Sequence, residues 1–315
     1  MDRGKYAALL DPEYWAYIDT VNARHFPAVA DMPVEQERAL YDEMAAAFHV
    51  GRPAGVGTED GVIPLADRAI PFRWYRLDGR LPQAAILYFH GGGFVFGGLD
   101  SHDDICAELC AETGFALVSI DYRLAPEHVH PAAFDDAVAA FDWLAATTKL
   151  PIVLCGESAG GNLAAAVAHA TRNRPRPAVG QVLIYPSLGG DSSMGSYVEH
   201  AEAPLLSTAD LAFYGQVRTD HTPRPDDATL EPLWDSDFAG LPPTAIITAE
   251  CDPLSSDGET YRDRILAVGG KAAWLNEKRL THSFLRARKS SPRAGEAMAD
   301  IVAAVTVLGK GRWPY

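Results

Sequence analysis

The pattern of apolar positions divides the chain into a helical N-terminal part and a longer part in which strands and helices alternate. Over residues 1–50, apolar residues recur at spacings of three and four in the segments YWAYIDTVNARHF and PVEQERALYDEMAAAF, as they do on an amphipathic helix. Glycine and proline then gather at 51–57, which indicates a linker. We therefore expect helices first and a different architecture after the linker.

Beyond the linker, short apolar runs predict strands and longer periodic runs predict helices. The predicted strands are IPFRWYRL, QAAILYFH, FALVSIDY, PIVLC, VGQVLIYPS, PTAIITAE and KAAWLNEK. The predicted helices are one near 101–112, AAFDDAVAAFDWLAAT, AGGNLAAAVAHATRN, GETYRDRILAVG and one near 291–308. This alternation predicts an α/β protein with a mostly parallel sheet covered by helices on both faces. Between 187 and 243 the alternation stops, and the irregular, polar and aromatic segment there is predicted to lie outside the sheet.

Composition and charge narrow the class of partner. The net charge of −15 and the pI of about 5.0 argue against a nucleic-acid or anionic-membrane surface, because both require a basic patch. We find neither the run of about 20 apolar residues that a membrane span needs nor the apolar segment of a signal peptide. The four cysteines lack zinc-type spacing and are expected to be reduced core residues. These features predict a cytoplasmic protein.

The motif GESAG at 156–160 lies between a predicted strand and a predicted helix. The pattern Gly-x-Ser-x-Gly in this context places the serine on a sharp turn, from which its hydroxyl projects. Glycines leave the space that the turn needs, and the amides at the start of the helix favour an anion nearby. Ser158 is therefore the predicted nucleophile, and a glycine-rich turn with a surface serine is the alternative.

A serine nucleophile needs a base and a carboxylate that orients the base. Asp252 follows the strand PTAIITAE, and His282 follows the strand KAAWLNEK. Because the carboxyl ends of parallel strands open on one rim of the sheet, these two side chains are predicted to meet Ser158 there. Glu250, Asp257 and Glu259 are alternative acids. Glu250 lies close to its strand, and Asp257 is predicted to be the N-cap of the helix that follows.

Three successive glycines follow the strand QAAILYFH, within the segment FHGGGFVFGG at 89–98. Backbone amides next to glycine can approach a ligand closely, and a tetrahedral intermediate needs such donors for its oxyanion. A flexible loop is the alternative. Phe94 and Phe96 follow the glycines, and we predict that they narrow the mouth of the substrate site unless they pack in the core instead.

Five motifs together closely resemble, in the same order, those of the hormone-sensitive-lipase family of α/β-hydrolases, and of its microbial carboxylesterase branch in particular. They are HGGGF at 90–94, DYRLAPEH at 121–128, GESAGG at 156–161, DPL at 252–254 and HSF at 282–284. By that resemblance Ser158 is the nucleophile, His282 the general base and acid, and Asp252 the orienting carboxylate. The resemblance implies an α/β-hydrolase fold and a serine carboxylesterase.

The resemblance also implies the remaining parts of the site. The oxyanion donors would be the backbone amides of Gly92, Gly93 and Ala159, and His90 with the YRLAPEH segment would support the glycine loop. Neither a metal nor an organic cofactor is expected. The substrates would be small esters with short acyl chains, from acetyl to about hexanoyl.

The predicted domain organisation follows the same family. A small helical cap would combine the N-terminal helices at 1–50 with an insertion at 188–240, and the catalytic domain would comprise 51–187 and 241–315. By analogy with the family, the strand KAAWLNEK is expected at a sheet edge, where it could pair in a homodimer. Glu157 departs from the more usual aspartate before the nucleophile, and its partner cannot be predicted from the sequence.

Two other functions are weighed against esterase activity. Plant hormone receptors that resemble these esterases lack the catalytic histidine, whereas His282 is present here. Serine peptidases of this fold usually carry a large extra domain, for which this chain has no room. Amide hydrolysis as a side activity stays open.

Overall fold

Eight strands form one sheet in the computed structural model, which describes residues 3–24, 32–313 and 315. The strands are β1 (Val56–Pro64), β2 (Ala69–Leu77), β3 (Ala85–Phe89), β4 (Ala116–Ile120), β5 (Ile152–Glu157), β6 (Gly180–Ile184), β7 (Thr244–Cys251) and β8 (Ala272–Thr281). They lie in the order β1-β2-β4-β3-β5-β6-β7-β8. The pairs β1–β2 and β2–β4 are antiparallel, and all others are parallel. The predicted mostly parallel sheet is confirmed.

Ten helices accompany the sheet in the described part of the chain. They are α1 (Tyr6–Leu9), α2 (Pro12–Ala23), α3 (Val34–Phe48), α4 (Asp103–Thr113), α5 (Ala132–Thr147), α6 (Ala159–Thr171), α7 (Ser196–Glu199), α8 (Thr208–Thr219), α9 (Ser255–Ala267) and α10 (Pro292–Gly309). The predicted helices of the N-terminal part are confirmed within the described residues, and the predicted helix end at 25–26 lies outside them.

The hydrophobic core consists of two layers, one on each face of the sheet. Because successive side chains of a strand point to opposite faces, β3 contributes Ile86 and Tyr88 to one layer and Leu87 and Phe89 to the other. Helices α4 and α10 cover the first face, and α5, α6 and α9 cover the second. All five residues of β3 are buried, which explains why its sequence is a continuous apolar run.

Some elements were not predicted from the sequence. β1 is partly exposed along most of its length, so its sequence VGTEDGVIP lacks a clear apolar alternation; it forms by pairing with β2 from Val56 to Pro64. Helices α7 and α8 lie in the segment predicted to be irregular, and that prediction was wrong for the four residues of α7 and the twelve of α8. A capping box begins α8, in which the Ser207 hydroxyl accepts from the Asp210 amide at 3.1 Å.

The sheet ends at β1 on one side and at β8 on the other. β8 is an edge strand, as expected for KAAWLNEK, and pairing of two chains there stays a prediction. The division into a cap and a catalytic domain also stays a prediction, although 188–240 contribute no strand.

All four cysteines are free and buried. Over the described residues, no helix combines the length and apolar character that crossing a membrane requires.

Candidate active site

Ser158 lies between β5 and α6 on a strained turn. Its backbone has φ 56° and ψ −120°, a region that residues with a side chain rarely adopt. Gly156 and Gly160, two residues before and after it, lie at positions where a side chain would not fit. A β-carbon at Gly156 would lie 2.2 Å from the Gly160 carbonyl oxygen, and one at Gly160 would lie 2.0 Å from the Phe89 carbonyl oxygen. The spacing of the GESAG motif is therefore a packing requirement of this turn.

A chain of hydrogen bonds joins the three side chains predicted to react. His282 Nε2 lies 2.8 Å from Ser158 Oγ, and His282 Nδ1 lies 2.7 Å from Asp252 Oδ2. Asp252 is fully buried, and its Oδ1 accepts from the Leu254 amide at 2.9 Å. With its Nδ1 proton held by Asp252, the imidazole presents Nε2 as an acceptor for the serine proton. The structure thus brings together the three residues that the sequence selected.

Strand pairing explains why Asp252 and His282 meet. Cys251 and Thr281 are paired residues of the parallel strands β7 and β8, and Asp252 and His282 each come one residue later. Both therefore emerge at the same rim of the sheet, which is where ligands bind in open α/β sheets. The Tyr185 ring packs against the His282 imidazole, with 4.7 Å between ring centres, and limits its movement.

The alternative acids have other partners. The Glu250 carboxylate accepts from Lys278 Nζ and from the Arg279 amide, both at 2.9 Å. Asp257 is not an N-cap, so that prediction was wrong: α9 begins two residues earlier, and the Asp257 side chain is buried within its first turn. Its Oδ2 accepts from the Leu188 amide at 2.7 Å. Asp257 thus holds the segment after β6 against α9.

Asp257 predicts a pH dependence of stability. Burial raises the pKa of Asp257 to about 7, despite hydrogen bonds to the carboxylate from the Leu188 amide and the Tyr197 hydroxyl. In the unfolded chain the pKa is about 4. Because the folded carboxyl keeps its proton to higher pH, its contribution to the free energy of unfolding is full below about pH 4 and is lost as the pH rises towards about 7.

We therefore expect Asp257→Asn to gain stability relative to the wild type as the pH rises through this interval. Urea unfolding at several pH values measures the free-energy difference between the two proteins. Asp263→Asn, which changes an exposed carboxylate on the same helix, serves as the control. A difference between Asp257→Asn and the wild type that does not vary with pH would contradict the expectation.

The glycine loop after β3 has the backbone conformation that the sequence suggested. Gly92 and Gly93 have φ of 118° and 61°, which favour glycine, and a β-carbon at Gly92 would lie 2.3 Å from the Phe96 carbonyl oxygen. Gly92, Gly93 and Ala159 line one cavity together with Ser158. In the described part of the chain, no acceptor is paired with the amides of these three residues. They are available to a ligand beside the serine.

Glu157 supports this loop from the residue before the nucleophile. Its Oε1 accepts from the Gly91 amide at 2.7 Å and lies 2.8 Å from His102 Nε2. Burial opposes its ionisation, but the hydrogen bond from His102 and the charge of Arg286 lower the pKa of Glu157 well below its usual value. Arg286 in turn donates to the Tyr41 hydroxyl of α3 at 2.9 Å. Sequence analysis missed His102 and Arg286, because no spacing relates them to residue 157.

His90 and Tyr122, for which the family resemblance predicts a supporting role, contact each other at the start of the glycine loop. Their rings are stacked with 4.2 Å between centres, and the Tyr122 hydroxyl donates to the His90 carbonyl oxygen at 2.7 Å. Burial lowers the pKa of His90 to about 3, so the ring is neutral at physiological pH. A neutral, stacked imidazole is suited to holding the loop.

The cavity beside Ser158 has a volume of about 460 Å³. Phe94 and Phe96 both line it and are both buried, so they pack in the protein and also face the cavity. Phe96 stacks on Tyr41 of α3, with 5.6 Å between ring centres, and meets Tyr214 of α8 edge-on. Among the described residues, no group of three or more His, Cys, Asp or Glu side chains is arranged to hold a metal ion.

Comparison with known proteins identifies the family. A family model described as alpha/beta hydrolase fold matches residues 86–286. Carboxylesterase NlhH of Mycobacterium tuberculosis is 39% identical over 233 residues, which cover 70% of this chain and 72% of that protein. Ethyl acetate hydrolase of Pseudomonas putida is 32% identical over 319 residues, which cover 94% of this chain and 98% of that protein.

Solved esterases share the whole architecture. An esterase of Pyrobaculum calidifontis superposes with a TM-score of 0.83 at 32% identity, covering 94% of this chain and 98% of that one. A thermostable carboxylesterase from a metagenomic library superposes with a TM-score of 0.82 at 33% identity, covering 90% of this chain and 99% of that one. The chain is a carboxylic ester hydrolase, and it belongs to the hormone-sensitive-lipase-like family of the α/β-hydrolase fold.

Proposed function

We propose that the protein is a serine carboxylesterase that cleaves short-chain acyl esters, from acetyl to about hexanoyl, through an acyl-enzyme on Ser158. The observation that carries this proposal is the hydrogen-bond chain from Asp252 through His282 to Ser158 in the wall of the cavity. The similarity to an ethyl acetate hydrolase supports a small acyl group.

In the acylation step, Ser158 Oγ attacks the ester carbonyl carbon while His282 Nε2 takes the serine proton. Asp252 stabilises the imidazolium that forms. The carbonyl oxygen becomes an oxyanion, and the amides of Gly92, Gly93 and Ala159 donate to it. Because these amides have no acceptor among the residues that the structure describes, they are available without rearrangement of the loop.

The intermediate then collapses, and His282 gives the proton to the departing alcohol. In deacylation a water molecule takes the place of the alcohol: His282 removes its proton, and the oxygen attacks the acyl carbonyl carbon. Collapse of this second intermediate breaks the bond to Ser158 Oγ, which recovers a proton from His282. The products are the carboxylic acid and the alcohol, and the enzyme is restored.

The size and walls of the cavity support the preference for short chains. Its volume of about 460 Å³ must hold both the acyl chain and the alcohol, and the rings of Phe94, Phe96, Tyr41 and Tyr214 limit it. Each methylene that is buried contributes up to ~0.8 kcal/mol. We therefore expect rates to rise with chain length only until the cavity is full.

A series of p-nitrophenyl esters tests this preference. We expect kcat/KM to be highest between acetate and hexanoate and to fall by about tenfold or more for dodecanoate, since a long chain leaves apolar surface in water. Phe94→Ala enlarges the cavity, so the ratio of dodecanoate to butyrate rates rises. Phe115→Ala, which changes a buried ring that does not line the cavity, leaves this ratio unchanged. Hydrolysis of emulsified long-chain triglycerides as fast as a soluble butyrate ester would refute the preference.

A further inference from the structure

Two charged side chains with no part in the proposed ester chemistry line the same cavity as Ser158. Arg218 comes from α8, and Glu231 immediately precedes a short 3-10 turn at Pro232–Trp234. Their closest nitrogen and oxygen atoms are 3.8 Å apart. Asn162, which follows Ser158 by one turn of α6, lies between them and the nucleophile. The pair thus lines the same cavity as the predicted nucleophile.

Arg218 is held rigidly. Its side chain is only 5% exposed, and it donates to the Leu230 carbonyl oxygen at 3.0 Å and to Asn162 Oδ1 at 3.1 Å. The guanidinium also lies over the Phe94 ring, 3.5 Å from its centre. A planar cation held by two hydrogen bonds and an aromatic face has little freedom to follow a substrate. Arg218 therefore acts as a fixed part of the wall.

Glu231 is held much less completely. Its side chain is 19% exposed, and its nearest donors in the described part of the chain are Arg218 at 3.8 Å and Asn162 Nδ2 at 3.4 Å. Asn162 Nδ2 already donates to the Ser187 and Leu230 carbonyl oxygens, at 2.8 and 2.9 Å. A carboxylate accepts several hydrogen bonds, and leaving this capacity unused inside a protein costs free energy. Glu231 therefore offers an unused acceptor to the cavity.

The surrounding charges favour a donor as the missing partner. Burial raises the pKa of Glu231 to about 7, and the charge of Arg218 opposes this increase. Asp257 and Asp227 lie near enough to raise it further. Above about pH 7, where Glu231 is ionised, its carboxylate makes this part of the cavity unfavourable for an anion and favourable for a hydroxyl or an ammonium group.

We propose that Glu231 is a specificity-determining acceptor, which selects esters that carry a hydrogen-bond donor, either a hydroxyl or an ammonium group, on the part that reaches Glu231. This inference rests on the proposed esterase function and adds the class of substrate to it. The donor completes the hydrogen bonding of Glu231, while Arg218 and Phe94 keep the wall in place. An apolar chain of the same length leaves the carboxylate unpaired.

Matched esters that differ only at the chain end test the proposal. The end is a methyl, a hydroxyl or an ammonium group, carried on the acyl chain in one set and on the alcohol in the other. We expect the wild type to prefer the hydroxyl and ammonium esters in kcat/KM by about tenfold or more in one of the two sets, as a hydrogen bond to a charged group predicts. The preferred set identifies the part of the substrate that reaches Glu231.

Two variants separate hydrogen bonding from charge. Glu231→Leu removes the acceptor, so both preferences are lost. Glu231→Gln keeps an acceptor oxygen but no charge, so the hydroxyl preference is retained while the ammonium preference falls by about tenfold. Glu296→Leu, which removes an exposed carboxylate on α10, keeps the wild-type preferences. Melting temperatures show whether each variant is folded, and if Glu231→Leu does not fold, the loss of ammonium preference in Glu231→Gln decides the matter.

The failures of the two proposals are distinguishable. If the wild type cleaves p-nitrophenyl butyrate but the chain-end preferences are absent, or are the same in the Glu231 variants, the role of Glu231 is refuted and the esterase proposal stands. If the wild type cleaves no ester of any set, the proposed function itself fails.

Discussion

Ser158→Ala abolishes ester turnover, with an expected loss in kcat of about 10⁴–10⁶. The reason is the geometry of the turn: only Ser158 Oγ lies within hydrogen-bond distance of His282 Nε2, at 2.8 Å, in the described site. Without this oxygen no acyl-enzyme forms, and water must attack the ester directly. Binding and the amides of the glycine loop then provide what catalysis remains.

Single-turnover and steady-state assays with p-nitrophenyl butyrate measure this loss. A phosphonate or sulfonyl fluoride labels the wild type, and peptide mass spectrometry places the adduct on Ser158. Ser290→Ala, which changes an exposed serine far along the chain, is the control and is expected to react like the wild type. Residual activity of Ser158→Ala above about a hundredth of the wild-type rate would show that another group is the nucleophile.

Asp252→Asn is expected to lower kcat by about 10³–10⁴ with little change in folding. The asparagine oxygen can keep the hydrogen bond from the Leu254 amide, which leaves the NH₂ group facing His282 Nδ1. The imidazole then carries its proton on Nε2 and cannot accept the Ser158 proton. The loss therefore appears in the chemical step, because the wrong tautomer is favoured.

Glu250→Gln is the matched control, since Glu250 lies two residues before Asp252 and binds Lys278 and the Arg279 amide instead of the imidazole. We expect its kcat to stay within about threefold of the wild type, and thermal melting to show both variants folded. The opposite result, a large loss in Glu250→Gln and a small one in Asp252→Asn, would transfer the role of the acid to Glu250.

A sequence prediction is confirmed where its physical cause lies within the element itself, and it fails where the cause is contact with another element. Helix α5 is found at the predicted residues, 132–147, because its apolar periodicity is strong and uninterrupted. Helix α8 was missed because only one of its residues, Arg218, is buried. Asp257 was misassigned because an acid near a helix start resembles an N-cap, whereas its burial depends on the segment after β6.

The sequence by itself determined the alternation of strands and helices, the turn around Ser158, and the positions of Asp252 and His282 just after two strands, because short-range periodicity and steric limits specify all of these. Only the tertiary structure decided that Glu157 pairs with His102 and that Glu231 lines the cavity near Arg218. These contacts join residues from different elements, and the burial that sets their chemistry arises only when the elements pack together.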